Sequence, residues 1–357
     1  MEVFEQKLKY AEVKEHIYTL IRRGRYKPGD KIPSERELAK EFDVNRATAS
    51  RALKELEADG FVERKQGFGT FVSERSSQLA SASLTHNIGL VIYDLAYLSM
   101  PYMTQVLRGI NQMLHLYGYN LILYGMTGTE ESKILPLEEI IKRPQVDGLL
   151  IDAGPNTIKY LCEEGFPFVQ FGSNTSQLFG YEYSSVFIDS DSVIRKAVEY
   201  LYNRGRRRIA FMRGTIGLSP IERTIDAFLD ISRGLGMKDN YKWVEVGGYG
   251  EESGRNMVKK LFASEPYPDA IVANEDMIAM GAIEELKRLG FRIPEDVTVI
   301  GNGDYYLNSN LTTIRPPHYE LGSKATEALI QKISLSNVRL EKEIQILLDV
   351  ELVVRET

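Results

Sequence analysis

From residue 87 onward, short apolar runs alternate with segments of helical periodicity, and this alternation limits the possible folds more than any other feature of the chain. Seven apolar runs predict buried strands, at 88–93, 120–124, 148–152, 168–171, 208–212, 270–273 and 298–301. Amphipathic segments between them predict helices, at 102–117, 190–204, 221–235 and 277–289. Such alternation is typical of open, mostly parallel sheets with helices on both faces. The roughly 270 residues of this region exceed the needs of one such sheet, so we expect two lobes.

Composition excludes several classes of protein. The chain of 357 residues is 43% hydrophobic and 26% charged, with a net charge of −6, which is typical of a folded protein and not of a disordered one. No apolar run approaches the roughly 18 residues of a membrane helix, and the first residues do not have the pattern of a secretory signal. The single cysteine, Cys162, excludes an intramolecular disulfide, and the four scattered histidines argue against a zinc cluster. We therefore expect a cytoplasmic protein without a metal or other cofactor.

Sequence signatures of common enzymes are missing. The chain has no G-x-x-x-x-G-K phosphate loop, no G-x-S-x-G elbow and no G-x-G-x-x-G between a strand and a helix. Asp189 and Asp191 resemble a carboxylate pair, but Asp189 ends a predicted strand and Asp191 is better explained as the cap of the helix that follows. Cys162 precedes two glutamates, which disfavour a reactive thiolate. These observations predict that the protein is not an enzyme.

The first seventy residues have the pattern of three helices followed by a basic hairpin. Apolar residues at helical spacing near the N-terminus predict the first helix. Ser34 and Glu37 have the spacing of a capping box and begin the second, and Asn45 is placed to cap the third. The third helix has a stripe of small and apolar residues for burial: Ala49, Ala52, Leu53 and Leu56. Two short strands, at 61–64 and 70–72, flank a glycine-rich turn, so the region is predicted to be a winged helix.

The charge on the third helix is suited to nucleic acid. Between Val44 and Lys54 the chain carries Arg46 and Arg51 and no acidic residue. Small side chains beside these arginines allow a helix to enter the major groove, about 12 Å wide, and to reach base edges and phosphates. A solvated helix face is the alternative at this point.

The stretch YKPGDKIPSERELAKEFDVNRATASRALKELEADGFVERKQGFGTFV closely resembles the DNA-binding domain of the GntR family. The resemblance implies DNA contacts from the arginine of the P-S-E-R motif at the start of the second helix, the first turn of the third helix and the wing tip: Arg36, Asn45, Arg46, Ala47, Thr48, Gln66 and Gly67. Ser50 stands where many members carry arginine, with Arg51 next, and both are included in the predicted interface. Arg64, at the base of the wing, is expected to contact phosphate. A winged helix that binds protein remains an alternative.

A second resemblance covers most of the remaining chain. Segments such as NIGLVIYDL, VDGLLI, PDAIVANEDMIAMGAIEELKRLGFRIPEDVTVIG and LTTIRPPHYELGSKATEALI look like the effector-binding core of the LacI family, in the family's order. That core has the two-lobe α/β fold of periplasmic sugar-binding proteins (type I), with three crossovers, expected near 172–175, 301–304 and 315–317. The predicted organisation is an α+β winged helix at 1–74, a polar linker at 75–86 and a two-lobe domain at 87–357.

The LacI resemblance also places the effector-binding residues in the cleft between the lobes, where open α/β sheets bind ligands. The residues at or next to the family's ligand-binding positions are Tyr93, Asp94, Tyr102, Arg223, Tyr249, Glu275, Asn302 and Asp304. A one-residue offset at Arg223 remains open, because the family's following glycine and aromatic residue are absent. Gly303 stands where the family has a ligand-binding aspartate, and Glu275 is our hypothesis for the replacement acceptor.

A GntR-type head on a LacI-type body is the arrangement of AraR-like regulators, which sense L-arabinose or related sugars. The resemblance therefore implies a cytoplasmic transcriptional repressor of carbohydrate-utilisation genes. It would bind pseudo-palindromic operator DNA as a homodimer and respond to a monosaccharide such as arabinose, with no membrane partner. The helix with Val106, Ile110, Met113 and Leu114 is a candidate dimer contact, with a buried core stripe as the alternative. Two other functions stay open: a sugar-binding protein or enzyme with an incidental head, and a constitutive DNA binder that has lost its effector.

Overall fold

The computed structural model describes residues 9–10, 12–14, 16–18, 20–21, 25–74, 76, 84–92, 98–126, 134–142, 145–172, 181–214, 221–306, 309–334 and 343–357. Two predicted effector residues, Tyr93 and Asp94, lie outside the described residues, as does most of the predicted linker at 75–86. Within the described ranges, no helix is both long enough and apolar enough to cross a membrane.

The N-terminal region forms a winged helix. After helical residues within 9–21 come α1 (Glu35–Glu41), α2 (Arg46–Ala58) and the antiparallel strands β1 (Val62–Lys65) and β2 (Gly69–Val72). The predicted capping box is present: the Ser34 hydroxyl accepts from the Glu37 amide at 3.3 Å, and the Glu37 carboxylate accepts from the Ser34 amide at 2.7 Å. The Asn45 side chain caps α2 by accepting from the Thr48 amide at 2.8 Å. The predicted buried stripe of α2 is confirmed, because all four of its residues are fully buried.

The first lobe is built on a six-stranded parallel sheet. Its strands are β3 (Asn87–Ile92), β4 (Asn120–Gly125), β5 (Gly148–Ile151), β6 (Phe168–Gly172), β7 (Ser185–Ile188) and β13 (Gln345–Leu348), in the order β13-β7-β6-β5-β3-β4. Its helices are α3 (Pro101–Tyr117), α4 (Ile134–Lys142), α5 (Pro155–Glu164) and α10 (His318–Ser334). Alternate residues of β3 pack on opposite faces of the sheet, Leu90 beside α3 and α10 and Val91 in the second apolar layer. Burial on both faces explains why this strand is a continuous apolar run.

The second lobe has a mixed six-stranded sheet. Its strands are β8 (Ile209–Gly214), β9 (Val244–Gly247), β10 (Ala270–Ala273), β11 (Thr298–Asn302), β12 (Thr312–Arg315) and β14 (Glu351–Val353), in the order β14-β12-β11-β10-β8-β9. Only the β12–β14 pair is antiparallel. Its helices are α6 (Ser190–Asn203), α7 (Ile221–Gly234), α8 (Glu251–Leu261) and α9 (Asp276–Arg288). A carboxylate does cap α6, but it belongs to Asp189 and not to Asp191 as predicted: the Asp189 side chain accepts from the amides of Asp191 and Ser192, each at 3.1 Å.

The chain crosses between the lobes three times. β7 belongs to the first sheet and α6 packs on the second, so the first crossover lies at residue 189. β11 and β12 both belong to the second sheet, and α10 packs on the first, so the second crossover is at 316–317. β13 and β14 are in different sheets, which places the third at 349–350. The prediction at 315–317 is confirmed, and those at 172–175 and 301–304 are wrong, because β6 is followed by a strand of its own sheet and so is β11.

The start of α10 is held close to α3. A Cβ on Gly322 would lie 2.1 Å from the Val106 carbonyl oxygen, and one on Gly109 would lie 2.1 Å from the Tyr319 carbonyl oxygen, so each helix needs glycine where the other crosses it. Val106 and Ile110 are fully buried in this contact, and Leu114 is nearly so. The core-stripe alternative for α3 therefore holds for these three residues, whereas the fourth, Met113, is half-buried.

Candidate DNA interface and effector cleft

The first turn of α2 presents its side chains to solvent. Asn45, Arg46 and Ala47 are exposed, and Thr48 is half-buried with its hydroxyl donating to Asn45 Oδ1 at 3.0 Å. Arg36, on α1, is also exposed. These five predicted DNA contacts are thus accessible, and the cap at Asn45 fixes the backbone on which they stand.

Glu35 connects the recognition helix to the wing. Its carboxylate accepts from Arg46 Nε at 3.0 Å, from the Ser50 hydroxyl at 2.8 Å and from Arg64 Nη1 at 3.2 Å. The hydrogen bond from Ser50, followed by those from the arginines, lowers the pKa of Glu35. Ser50, predicted to contact DNA, is instead half-buried and holds Glu35 in place, because a short hydroxyl side chain fits between the helix and this carboxylate.

Two further arginines are engaged within the winged helix. Arg64 donates to the Ser50 carbonyl oxygen through Nη2 at 3.2 Å as well as to Glu35, so it joins the wing to α2, and its contact with phosphate stays a prediction. Arg51, a predicted DNA contact, pairs with Glu55 at 3.4 Å, and its guanidinium lies 4.1 Å from the centre of the Tyr10 ring. Arg51 therefore packs along the side of the helix, whereas the Arg46 side chain is 78% exposed in the first turn.

The wing tip contains an accessible residue that sequence reasoning did not select. Gln66 and Gly67 are exposed as predicted, and Gly67 has a φ of +82° in the turn, a conformation that favours glycine. The next residue, Phe68, is 73% exposed. The signal for it was a large aromatic side chain in a turn of otherwise polar and small residues.

A cavity of about 240 Å³ lies between the two lobes. It is lined by both lobes and by two of the crossovers, which makes it the natural ligand site of this fold. The first lobe and α10 contribute polar and aromatic groups: Tyr102, Asp152 and His318. The second lobe contributes most of the others: Arg213, Thr224, Asn274, Glu275, Asn302 and Tyr305. Apolar side chains line the remainder, so the cavity offers separated hydrogen-bonding groups on a hydrophobic wall.

Arg213 and Glu275 are the ionisable groups of the second-lobe wall. Arg213 is only 3% exposed at the end of β8; its Nε donates to the Thr224 hydroxyl at 3.1 Å and its Nη1 donates to the Gly214 carbonyl oxygen. Glu275 stands at the start of α9 without capping it. Burial, and to a smaller extent the charge of Asp276, raises the pKa of Glu275 to about 8, although Arg213 opposes the shift. The cation and the carboxyl group can therefore bind a hydroxyl group from two sides.

The predicted effector residues divide into two groups. Tyr102, Glu275 and Asn302 line the cavity. Tyr249 is outside the lining, near enough to Glu275 that burial and the charge of Glu275 raise the pKa of the tyrosine to about 12.

Arg223 and Asp304 are not brought into the cavity. Arg223 is exposed on α7, and its neighbour Thr224 lines the cavity, so the predicted residue lies one position away from the one that faces the ligand site. Asp304 is buried in an ion pair with Arg315 at 2.7 Å and another with Arg355 at 2.6 Å, and it supports the second crossover.

Gly303 is explained by its neighbour Tyr305. Gly303 has a φ of +136°, and a Cβ there would lie 2.2 Å from Tyr305 Cε2. The Tyr305 ring fills the space that a side chain at 303 would need, and the Tyr305 amide donates to Asp276 Oδ2 at 2.8 Å. The missing carboxylate is thus the consequence of an aromatic ring packed into the cavity wall.

The raised pKa of Glu275 makes stability depend on pH. Since the folded chain holds a proton on Glu275 up to about pH 8 and an ordinary glutamate has a pKa of 4.5, unfolding releases that proton near neutral pH. Stability is therefore expected to fall as the pH rises from about 4.5 to about 8, and to level off at higher pH. Thermal unfolding of Glu275→Gln should show a smaller fall over this range than the unchanged chain. Glu284→Gln, on the exposed side of α9, is the control, and equal pH profiles for all three proteins would contradict the assignment.

Among the described residues, no group of three or more His, Cys, Asp or Glu side chains could hold a metal ion. The lone Cys162 packs against the first-lobe core, and its burial raises its pKa to about 11. The thiol is therefore protonated at neutral pH, in agreement with a packing role.

Comparison with known proteins gives the same two-part organisation. Residues 9–72 match the family model described as bacterial regulatory proteins, gntR family, and residues 198–357 match the periplasmic binding protein-like domain. The arabinose metabolism transcriptional repressor of Geobacillus stearothermophilus is 29% identical over 97% of this chain and 96% of its own length. The ribose operon repressor of Halalkalibacterium halodurans is 27% identical over 90% of this chain and 96% of its own. The crystal structure of a regulatory protein of the LacI family from Chloroflexus aggregans superposes with a TM-score of 0.64 at 25% identity, over 76% of this chain and 98% of that one.

Proposed function

Because the chain joins a GntR-family DNA-binding domain to a LacI-like, periplasmic binding protein-like domain, we propose that it is a transcriptional repressor whose affinity for operator DNA is set by a small sugar. The observation that carries this proposal is the coexistence of two complete sites. The head presents an exposed recognition turn held by Glu35, and the body encloses a cavity with hydrogen-bonding groups from both lobes.

The proposed effector is a neutral monosaccharide, with L-arabinose as the first candidate. The relative from Geobacillus stearothermophilus, which aligns over nearly the whole chain, is an arabinose metabolism repressor. Asp152 and Glu275 line the cavity together with a single arginine, Arg213, and this balance disfavours a phosphorylated sugar. Tyr102 and Tyr305 offer aromatic surface for the C–H face of a sugar ring.

The proposed response uses the three crossovers as hinges. A sugar that contacts Tyr102 on the first lobe and Arg213 on the second stabilises the closed cleft over the open one. Closure rotates one lobe relative to the other and changes the spacing of the two heads in a dimer. A pseudo-palindromic operator has half-sites at a fixed spacing, so this change alters the affinity for DNA. A coupling free energy of about 1–3 kcal/mol, or roughly 5- to 150-fold in operator affinity, is the usual range for such a device.

The proposal is tested by measuring DNA binding with and without sugar. Promoter fragments from carbohydrate-utilisation genes are titrated with the protein at two salt concentrations, with and without L-arabinose. We expect selective binding of one operator, weakening as salt rises because phosphate contacts release counterions, and a further change in affinity with the sugar. No preference over bulk DNA would contradict the regulator. Selective binding that no sugar changes would favour the constitutive binder.

The proposed dimer also has a testable surface. The outer end of α3 exposes Leu116 at 70% and Tyr117 at 45%, and the neighbouring edge strand β4 exposes Leu123 at 46%. Since a group of exposed apolar side chains at one edge is a candidate subunit contact, the double variant Leu116→Glu/Leu123→Glu is expected to shift the protein to monomers and to weaken operator binding. Sedimentation velocity measures the shift, with Leu289→Glu, exposed on the second lobe, as the control. A double variant that sediments like the unchanged chain would place the contact elsewhere.

A further inference from the structure

His318 occupies the point where the two lobes and the effector cavity meet. It is the first residue of α10 and directly follows the second crossover. Its ring centre lies 5.5 Å from that of Tyr102, on the first lobe, and 6.2 Å from that of Tyr305, on the second, with the Tyr305 ring nearly parallel at 16°. The Tyr305 hydroxyl lies 3.3 Å from His318 Nε2. Contacts to both lobes make this imidazole sensitive to their relative position.

The other nitrogen of this ring has no partner. His318 Nδ1 is buried and forms no hydrogen bond with any described residue, and the same is true of Asn302 Oδ1. Both residues line the cavity between the lobes. A buried polar atom without a hydrogen bond costs about 1–3 kcal/mol, so two such atoms on residues that line one cavity favour a ligand that supplies the missing partners.

We propose that His318 is an effector-binding residue, and that its Nδ1 and the Oδ1 of Asn302 bind hydroxyl groups of the sugar at the hinge side of the cavity. This inference rests on the proposed function, since it concerns the same effector. When the Tyr305 hydroxyl donates to Nε2, the proton of the ring is on Nδ1. The two open atoms are then one donor and one acceptor, which is the pair that a hydroxyl group satisfies.

The environment of His318 specifies a neutral ligand group. Burial lowers the pKa of His318 to about 4, so the ring carries no charge at neutral pH. The two rings that pack on it are those of Tyr102 from α3 and Tyr305 after β11, and neither is charged at neutral pH. A neutral imidazole contributes a hydrogen bond but no attraction to phosphate or carboxylate. His318 therefore favours a hydroxyl or carbonyl group.

This arrangement also accounts for the departure at Gly303. Glycine leaves room for the Tyr305 ring, and Tyr305 in turn reaches His318 Nε2. In this proposal the imidazole of His318 forms the hydrogen bond to the sugar that a carboxylate at position 303 would otherwise form. Since the Tyr305 ring and His318 come from different lobes, a sugar held by Nδ1 also stabilises the contact between the lobes.

The test compares His318→Phe with His318→Gln in the full-length protein. The probes are L-arabinose, D-ribose, D-xylose and cytidine, screened by thermal shift, followed by titration calorimetry with whichever raises the melting temperature of the unchanged chain. We expect His318→Phe, which keeps the ring stacking and loses both nitrogens, to weaken binding at least about tenfold. We expect His318→Gln, which keeps a donor and an acceptor, to retain more affinity than the phenylalanine variant. Tyr319→Phe is the matched control, because its hydroxyl bonds Gln112 outside the cavity, and it should bind like the unchanged chain.

A second measurement does not depend on the folding of the phenylalanine variant. The ¹⁵N resonances of the histidine ring are recorded with and without the sugar, and those of His318 are assigned from their loss in His318→Gln. A hydrogen bond to the sugar should move the Nδ1 resonance. An unmoved resonance at saturating sugar, or equal affinity of His318→Phe and the unchanged chain, overturns the inference and leaves the proposed function intact. An unchanged chain that responds to none of the probes contradicts the proposed function and the inference with it.

Discussion

Replacing Arg213 by methionine is expected to abolish the response of operator binding to the sugar, whereas Arg223→Ala is expected to leave it intact. Arg213 is buried in the cavity wall and fixed by hydrogen bonds to Thr224 and Gly214, so its guanidinium is positioned before the ligand arrives. Hydrogen bonds to a charged group contribute about 1.5–3 kcal/mol, which corresponds to roughly 10- to 150-fold in sugar affinity. Calorimetry with the sugar and operator titration with and without it measure the two effects.

Methionine is the appropriate replacement because it preserves the volume of the arginine stem. Replacing both members of a buried charge pair by uncharged side chains is often neutral for stability, whereas removing one member alone is costly, so operator binding without sugar should stay within about threefold in Arg213→Met/Glu275→Gln. Arg213→Met/Glu275→Gln is the companion variant. It removes both ionisable groups, so its comparison with Arg213→Met shows whether the carboxyl group lowers stability once the guanidinium is absent. If Arg213→Met keeps the full response and Arg223→Ala loses it, the sugar binds nearer α7 than the cavity indicates.

The local elements could be predicted from the sequence because their causes are local. The capping groups Ser34 and Asn45 mark the starts of α1 and α2, and both act as the pattern predicts. The strand predicted at 270–273 agrees with β10 to the residue, since a short apolar run between polar loops has no other compact solution. The alternation of strands and helices then predicts two lobes with mostly parallel sheets.

The crossovers could not be placed in the same way, because they depend on which sheet a strand joins. β7 pairs with β6 and with β13, which is more than 150 residues later in the chain, and nothing in the local sequence of β7 encodes either partner. The C-terminal strands β13 and β14 are separated by only two residues, yet they belong to different lobes. The positions of the crossovers therefore depend on the pairing of strands that are distant in the sequence.

The cavity residues that sequence reasoning missed had signals of a different kind. Arg213 interrupts an apolar strand, and an arginine within a buried run must be hydrogen-bonded or bind a ligand. His318 directly follows two prolines in the crossover, where a titratable side chain is held rigidly. Arg223 was placed one residue away from the position that faces the cavity, because on a helix one residue changes the direction of a side chain by about 100°. Motif position alone does not determine which helix face is buried.

For DNA binding, the largest single effect is expected from Arg46→Ala. Arg46 stands in the first turn of α2 with its side chain 78% exposed, and Glu35 holds its Nε at 3.0 Å, so its terminal nitrogens are directed and accessible. Loss of an arginine that reads a base costs about 1–3 kcal/mol, or roughly 5- to 150-fold, and relaxes specificity at one base position. Competition of operator variants, each with one base pair changed, measures both the affinity and the position that lost its preference.

Two variants near Arg46 separate reading of the base from alignment of the helix. Glu35→Gln keeps Arg46 but removes the negative charge that binds Arg46, Ser50 and Arg64. It should therefore lower the stability of the head and weaken operator binding less than Arg46→Ala does. Arg51→Ala lies on the same helix but is engaged with Glu55 and Tyr10, and its effect should stay within about threefold. If Arg51→Ala weakens binding more than Arg46→Ala, α2 enters the groove by its middle turn and not by its first. The Glu35 cluster would then serve only to join the wing to the helix.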